Sequence, residues 1–238
     1  MAYQAVFKRY EIKYLLTTEQ KQRLLEAMAS YMSLDKYGRT VIRNLYLDTP
    51  DYRLIRRSLE KPVYKEKLRL RSYRQVGGTD TVYVELKKKY KGVVYKRRLS
   101  LPEAEANAWM AGKTRHEESQ IGREIQYVLG FYQGLAPRVY LSYEREAYFC
   151  RDGSDLRITF DDHILARQDH LSLQEPPGGT ALLEDGMVLM EVKTAGGLPL
   201  WLMEVLTRER ICKTSFSKYG KAYTEMIYPK NKGDYQYV

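Results

Sequence analysis

One segment of the chain alternates basic and apolar side chains at the period of a β-strand. Residues 65–71 carry the sequence Lys-Glu-Lys-Leu-Arg-Leu-Arg. Because successive side chains of a strand point to opposite faces, the four cations share one face, and Leu68 and Leu70 lie on the other. Four cations on one face need an anion among them. The pattern therefore predicts a polyanionic ligand held inside a sheet or barrel.

Other predicted strands repeat this spacing, with charged or polar residues two positions apart. The sets are Arg9, Glu11 and Lys13; Glu85 and Lys87; Lys96 and Arg98; Tyr143 and Arg145; Arg157, Thr159 and Asp161; and Glu191 and Lys193. Any one pair is typical of the solvated face of a half-buried strand. Solvated faces usually balance their charge, however, whereas these sets favour cations. The net charge of +10 also predicts attraction to anions.

The order of the predicted elements indicates an α+β fold. About eight strands are predicted, mostly joined as hairpins, and eight antiparallel strands can close into a small β-barrel whose lumen is lined by side chains. Helical periodicity at about 102–134 predicts a helical insertion packed against the outside of the sheet. The 238 residues are therefore interpreted as one domain over 1–238.

Glu191 and Lys193 lie on one face of an otherwise apolar strand, where charges are costly unless they are paired or ligated. One interpretation is a structural salt bridge. The other is a carboxylate for a divalent metal beside a phosphate-binding lysine, and hard oxygen ligands suit Mg²⁺ or Mn²⁺. Glu11, Glu85 and Asp161 are further candidate metal ligands, and their spacing does not rank them.

Ser217 and Lys218 lie at the start of the last predicted helix, Phe216 to Ile227. An N-cap explains the serine by itself. A hydroxyl, a cation and the N–H groups of a helix start would together also receive a terminal phosphate.

The sequence also indicates the cellular compartment of the protein. The two cysteines, Cys150 and Cys212, show no metal-ligand spacing, which predicts free thiols in a reducing compartment. No signal peptide is recognised, and no apolar run approaches the roughly 20 residues needed to span a bilayer. A soluble cytoplasmic protein without a membrane span is expected.

An ordered set of motifs resembles a known family. In chain order they are Arg9-Tyr10-Glu11-Ile12-Lys13-Tyr14, Asn44-Leu45-Tyr46-Leu47-Asp48, Lys67-Leu68-Arg69-Leu70-Arg71, Glu85-Leu86-Lys87, Tyr143-Glu144-Arg145, Arg157-Ile158-Thr159-Phe160-Asp161, Glu191-Val192-Lys193 and Phe216-Ser217-Lys218-Tyr219. The chain resembles the catalytic domain of VTC-type (vacuolar transporter chaperone) polyphosphate polymerases, which belong to the triphosphate tunnel metalloenzymes alongside the CYTH proteins. The resemblance extends from about Phe7 to Ile227.

The resemblance implies an eight-stranded antiparallel tunnel that makes polyphosphate from ATP, releases ADP and requires Mn²⁺ or Mg²⁺. The implied catalytic residues, most of which would grip phosphates, are Lys67, Arg69, Arg71, Lys87, Arg145, Arg157, Lys193 and Lys218. Tyr143 and Ser217 would lie near the nucleotide phosphates or the growing chain, and Glu191 would hold the metal. The strand pattern adds Arg9, Lys13, Lys96 and Arg98 as candidate substrate-binding residues.

Two positions depart from the family patterns. The wider superfamily opens with Glu-x-Glu-x-Lys, and here Arg9 replaces the first glutamate. That change removes a metal carboxylate, which argues against a two-metal hydrolase and favours the polymerase branch. The polymerases can also carry a lysine two residues before their Ser-Lys pair, where this chain has Ser215.

Two alternatives remain open. The first is hydrolysis of inorganic triphosphate or of a nucleoside triphosphate in the same tunnel. The second is a non-catalytic module that binds polyphosphate or RNA. The cations alternate with apolar residues and form no exposed cluster, which argues against nucleic acid. The expected partners are ATP, polyphosphate, and pyrophosphate or triphosphate.

Overall fold

The computed structural model of the protein describes residues 6–7, 10–91 and 93–228, so the predicted substrate-binding residue Arg9 lies outside the described residues. The strands are β1 (Val6–Phe7), β2 (Tyr10–Thr17), β3 (Met32–Leu34), β4 (Thr40–Asp48), β5 (Tyr64–Ser72), β6 (Thr81–Tyr90), β7 (Val93–Pro102), β8 (Ala136–Cys150), β9 (Arg157–Arg167), β10 (Thr180–Ala181), β11 (Met187–Thr194) and β12 (Lys213–Thr214).

The helices stand between these strands and after the last one. They are α1 (Thr18–Met28), α2 (Arg53–Leu59), α3 (Glu103–Met110), α4 (Gln120–Phe131), α5 (Leu200–Arg208) and α6 (Lys218–Ala222), and α6 continues as a π-helical segment, Tyr223–Ile227. Two side chains define the start of α1. Thr17 and Gln20 form a capping box, with the Thr17 hydroxyl accepting a hydrogen bond from the Gln20 N–H at 3.2 Å.

The strands form one antiparallel sheet. Their hydrogen-bonded order is β1-β7-β6-β5-β4-β8-β9-β11-β2-β12, with β10 on β9 and β3 on β8. The expected α+β class is confirmed, but the expected closed barrel of eight strands is wrong. Within the described residues, the sheet has twelve strands and its hydrogen-bond ladder stays open. The additional strands β1, β3, β10 and β12 have two or three residues each, which is too short for a periodic signal in the sequence.

The sheet nevertheless curls until its far strands meet. Lys87 on β6 lies 3.4 Å from a carboxylate oxygen of Glu11 on β2, although five strands separate β6 from β2 in the hydrogen-bonded order. In addition, β1 pairs with β7 while β2 pairs with β11, and only two residues separate β1 from β2. The two sides of the sheet are thus within about 11 Å of each other there. The sheet therefore has an enclosed inner face without a closed ladder.

Helices cover the outer face of the sheet. The apolar side of the β5 pattern, Leu68 and Leu70, is buried in a core with Trp109 of α3 and Ile125 of α4. These two helices lie at the predicted helical insertion and contact β7. A second outer core joins α1 and α5 to β9 and β11 through Leu24, Leu202, Ile158 and Met190. Because apolar side chains hold the helices outside, the alternate residues of the strands point inward.

The helices α2 and α6 occupy part of the inner side. Ile55 of α2 and Tyr219 of α6 share a third core with Leu141, Leu189 and Tyr143. This apolar packing fixes α6 against the inner face and brings its first residues close to the strand cations. Cys150 and Cys212 are both free, as predicted. In the part of the chain that the structure describes, none of the helices has the length and apolar character of a membrane span.

Candidate phosphate-binding site

Cross-strand register gathers the predicted residues on the inner face. Lys67 lies opposite Lys87, Glu85 opposite Arg98, and Glu191 opposite Lys13. Residues directly opposite each other project to the same face, so seven strands of the sheet and α6 contribute charged side chains to one surface. The candidate site residues on this face among the described residues are the basic Lys13, Lys67, Arg69, Arg71, Lys87, Lys96, Arg98, Arg145, Arg157, Lys193 and Lys218 and the acidic Glu11, Glu85, Asp161 and Glu191.

Glu191 is the carboxylate with the most cations around it. Its Oε1 lies 3.4 Å from Lys13 and 3.3 Å from Lys218, and its Oε2 lies 3.5 Å from both Arg145 and Lys193. Burial by itself would raise the pKa of Glu191, but the four cations outweigh it and hold the pKa well below its usual range. The contact between Glu191 and Lys193 is therefore one salt bridge of a larger cluster.

Asp161 forms the most buried ion pair of this cluster. Its side chain is fully buried and accepts two hydrogen bonds from Arg145, at 2.5 and 2.6 Å, in a bidentate arrangement. Lys218 donates a third hydrogen bond to Asp161 at 2.5 Å and lies 4.5 Å from the ring centre of Tyr143. Burial opposes the charge of Lys218, but Asp161 and Glu191 raise its pKa above the usual value. Lys218 is thus a buried lysine at the start of α6 whose positive charge is stabilised by two carboxylates.

Glu85 forms a second cluster, away from Glu191. Its Oε2 accepts two hydrogen bonds from Arg69, at 3.0 and 2.8 Å, and its Oε1 lies 2.8 Å from Lys96 and 3.0 Å from Arg98. Burial opposes ionisation, but Arg69, Arg71 and Lys96 lower the pKa of Glu85. Burial lowers the pKa of Lys96 to about 8, despite the contact with Glu85. Glu85 is a buried anchor that orders these cations.

Two polar residues on β4, neither of them predicted as a site residue, orient the arginines. Asn44 is completely buried and accepts a 2.9 Å hydrogen bond from Nε of Arg71. The Tyr46 hydroxyl accepts a 2.8 Å hydrogen bond from Arg69. Both belong to the Asn44-Leu45-Tyr46 motif at strand period, and an asparagine inside an apolar strand was the available signal. Arg71 also donates to the Tyr143 hydroxyl at 3.1 Å.

The start of α6 supplies oxygen atoms to two lysines. Lys67 donates a 3.1 Å hydrogen bond to the Ser217 hydroxyl, and Lys13 donates a 2.8 Å hydrogen bond to the Phe216 carbonyl. Ser217 is the N-cap of α6, as predicted, and accepts from the Gly220 N–H. Burial, followed by repulsion from Lys87 and Lys13, lowers the pKa of Lys67 from 10.5 to about 7.

Several inner cations lack full neutralisation within the described residues. Lys67 has no carboxylate partner there, Lys87 contacts only Glu11 at 3.4 Å, and Lys193 contacts only Glu191 at 3.5 Å. Arg157 is exposed, lies opposite Lys193 in register, and forms no ion pair with a described residue. This surplus of positive charge is the chemical signature of the face, because an anion that spans these groups would gain attraction from each of them.

The carboxylate oxygens of Glu191 and Glu11 suit a divalent metal by donor type. The cations Lys87, Lys13 and Lys193 outweigh burial and lower the pKa of Glu11 to about 2, so both groups are ionised. All four of their oxygens already contact cationic groups, and a metal ion would exchange with these contacts. Glu85 sits in its separate cluster, and Asp161 is fully buried against Arg145.

A different acidic group lies on the outer face. Glu144, Asp162 and His163 place their ligand atoms within 4.8 Å of one another, and Arg39 already contacts both carboxylates. None of the three was predicted as a metal ligand. Since Arg145 and Asp161, their chain neighbours, face inward, this group is separated from the cationic inner face.

Comparisons with known proteins identify a family and similar structures. The family model described as VTC domain matches residues 8–227. A candidate adenylate cyclase from Vibrio parahaemolyticus is similar in structure, with a TM-score of 0.50 and 12% identity, over 92% of this chain and 98% of that chain. A protein from Pyrococcus horikoshii gives a TM-score of 0.41 and 13% identity, over 93% and 99% of the two chains. No curated protein sequence matches the chain significantly. At 12% identity, the likeness to the Vibrio protein shows a shared fold alone.

Proposed function

This chain belongs to the VTC domain family, and from that premise we propose that it synthesises inorganic polyphosphate from ATP on its inner cationic face. In the reaction, a terminal oxygen of the polyphosphate forms a bond to the γ-phosphorus of ATP. The bond from that phosphorus to the β–γ bridging oxygen breaks, and its electron pair leaves with ADP. The family and the fold support phosphoryl transfer in general, and polymer synthesis is the finer proposal.

The observation that carries the proposal is the convergence of incompletely neutralised cations on one enclosed face. Lys67, Lys87 and Lys193 come from three different strands, and each retains hydrogen-bond donors that no described carboxylate occupies. A chain of phosphates offers a negative charge at every unit, so it can replace these missing partners one after another. Enclosure also raises the strength of each contact, because water is partly excluded.

The chemistry needs positioning and charge stabilisation more than covalent help. Phosphoryl transfer requires the attacking and leaving oxygens in line, with cations around the transferred group. The terminal phosphate of the acceptor is already anionic, so no general base is required. Arg69 and Arg145 are held by Glu85 and Asp161, which keeps their guanidinium groups in place before the substrate arrives.

A divalent cation fits the family and the donor chemistry of Glu191 and Glu11. When bound, Mn²⁺ or Mg²⁺ would neutralise phosphate oxygens and help to align them. Lys13, which contacts both carboxylates at 3.4 and 3.3 Å, would then move its ammonium group toward phosphate.

The direct test is incubation of the purified protein with ATP, a short polyphosphate primer and Mn²⁺ or Mg²⁺. We expect ADP together with a polymer that an exopolyphosphatase degrades. Orthophosphate without polymer would replace the proposal with triphosphate hydrolysis. If neither product forms across metals and primers, catalysis itself would be rejected, and binding of polyphosphate or RNA would remain.

A further inference from the structure

A cavity of about 470 Å³ lies at the ends of β8, β9 and β11, outside the inner face. Leu156 and Thr194 line it, and their chain neighbours are Arg157 and Lys193. These two cations lie opposite each other in the register of β9 and β11 and face inward. The cavity thus begins one residue from two incompletely neutralised inner cations, at the rim of the sheet.

The lining of the cavity differs in chemistry from the inner face. Tyr31 and Trp201 stack with ring centres 4.8 Å apart and planes within 3° of parallel, and both belong to the wall. Arg151, Asp152 and Ser154 supply a cation, a carboxylate and a hydroxyl. Aromatic surface with a few polar groups is typical of small-molecule sites of ~300–1,000 Å³. Carboxylate and hydroxyl groups accept hydrogen bonds from ring amines and sugar hydroxyls, whereas a carboxylate repels phosphate.

A nucleoside triphosphate matches this division of chemistry. Its phosphates suit Arg157 and Lys193, and its nucleoside is a flat ring with hydrogen-bond donors and a sugar. We propose that the cavity binds the nucleoside part of ATP while the phosphates lie on the inner face. This inference rests on the proposed function and deepens it, because it assigns the donor substrate two recognition surfaces. Inorganic triphosphate would use only one of them.

Two glycines allow larger side chains to be introduced at the wall of the cavity. Gly196 and Gly197 line it, and a Cβ atom placed on either meets no other atom within 4 Å. Neither has a positive φ, so a larger residue is compatible with the backbone. Gly130 on α4 offers a matched control, since it is exposed, also has open space at its Cβ position and lies far from the cavity in sequence.

The test compares Gly197→Leu with Gly130→Leu by titration calorimetry. The ligands are a non-hydrolysable ATP analogue and tripolyphosphate, each added with Mg²⁺ to the full chain, and thermal melting checks that both variants fold. We expect Gly197→Leu to weaken binding of the ATP analogue about tenfold or more and to leave tripolyphosphate within about twofold. Gly130→Leu should change neither affinity.

The outcomes separate this inference from the proposed function. Unchanged affinity for the ATP analogue in Gly197→Leu would overturn the nucleoside site. An equal loss for both ligands would overturn it as well, since the cavity is inferred to contact only the nucleoside. If the unaltered protein fails to bind tripolyphosphate, the proposed function itself is contradicted, whatever the variants do.

Discussion

The Tyr219 hydroxyl of α6 donates a 2.9 Å hydrogen bond to Oδ2 of Asp48, at the end of β4. Asp48 is completely buried and also accepts hydrogen bonds from the backbone N–H groups of Leu54 and Ile55 in α2. One carboxylate therefore ties β4, α2 and α6 together. Lys218, the residue before Tyr219, is held in the same way against Asp161 and Glu191.

Tyr219→Phe removes this hydrogen bond and keeps the ring, which stacks on Tyr46 with centres 4.5 Å apart. We expect the free energy of unfolding to fall by about 1–2 kcal/mol, because Asp48 retains its backbone donors. Turnover should fall about tenfold, since Lys218 loses part of its anchor. Chemical denaturation and initial rates of ADP release measure the two effects. Normal turnover in a folded variant would show that Asp48 does not position Lys218 for the reaction.

Neighbouring lysines on β6 test which face binds phosphate. Lys87 faces inward toward Glu11, whereas Lys88 faces outward and contacts Glu124 of α4 at 3.1 Å. Because one charged hydrogen bond contributes about 1.5–3 kcal/mol, Lys87→Ala should weaken tripolyphosphate binding about tenfold or more. Lys88→Ala removes the same charge, and its affinity should stay within about twofold. Equal losses in the two variants would mean that net charge, and not the inner face, governs binding.

Glu191→Gln should separate stability from binding. The change leaves Lys13, Arg145, Lys193 and Lys218 without their shared carboxylate, and breaking such a buried pair costs about 3–5 kcal/mol. Tripolyphosphate should restore much of that loss, because it supplies the missing negative charge and binds only the folded state. Thermal melting with and without the ligand measures both effects.

A carboxylate outside the inner face provides the control for this experiment. Glu209→Gln alters a carboxylate paired with Arg23 and Arg208, outside the inner face, and should show no greater ligand-induced stabilisation than the unaltered protein. The account would be contradicted if Glu191→Gln melted at the normal temperature, or if tripolyphosphate stabilised it less than the unaltered protein.

The lowered pKa of Lys67 predicts that stability and tripolyphosphate binding depend on pH. Its pKa of about 7 lies below the ordinary 10.5, so between these values the unfolded chain carries the proton and the folded chain releases it. The contribution of this group to stability therefore rises with pH across that window. An anionic ligand favours the charged lysine, so tripolyphosphate should bind with proton uptake at pH 8.

Calorimetry in buffers of different ionisation heat measures the proton uptake. The control is Lys67→Met, which keeps the length of the side chain and should take up fewer protons than the unaltered protein. Protons bound by the ligand itself are common to both titrations and cancel in the difference. Equal uptake in the two proteins would remove Lys67 from the binding site.

Local pattern predicted the faces of individual strands well. The alternation at 65–71 correctly separated Leu68 and Leu70, now in the outer core, from the inward arginines. The capping box at the start of α1 likewise spans only the four residues from Thr17 to Gln20. Such features depend on backbone geometry over a few residues, so they can be recognised in the sequence itself.

Pairing between distant residues could not be predicted in this way. Lys218 and Asp161 are 57 positions apart, and their contact depends on how α6 packs through Tyr219 and Ile55. The division of the acids into a Glu191 cluster and a Glu85 cluster depends likewise on how far the sheet curls. The prediction of a closed barrel was wrong for a related reason. Alternation predicts strands, but it does not predict whether the two edge strands of the sheet form hydrogen bonds with each other.

A crystal structure with a non-hydrolysable ATP analogue and Mn²⁺ would show whether phosphates bind along the inner face. We predict that the triphosphate contacts Lys67, Lys193 and Arg157 on that face. Phosphates found on outward residues such as Lys88 and Arg97, with the inner ion pairs unchanged, would contradict the account.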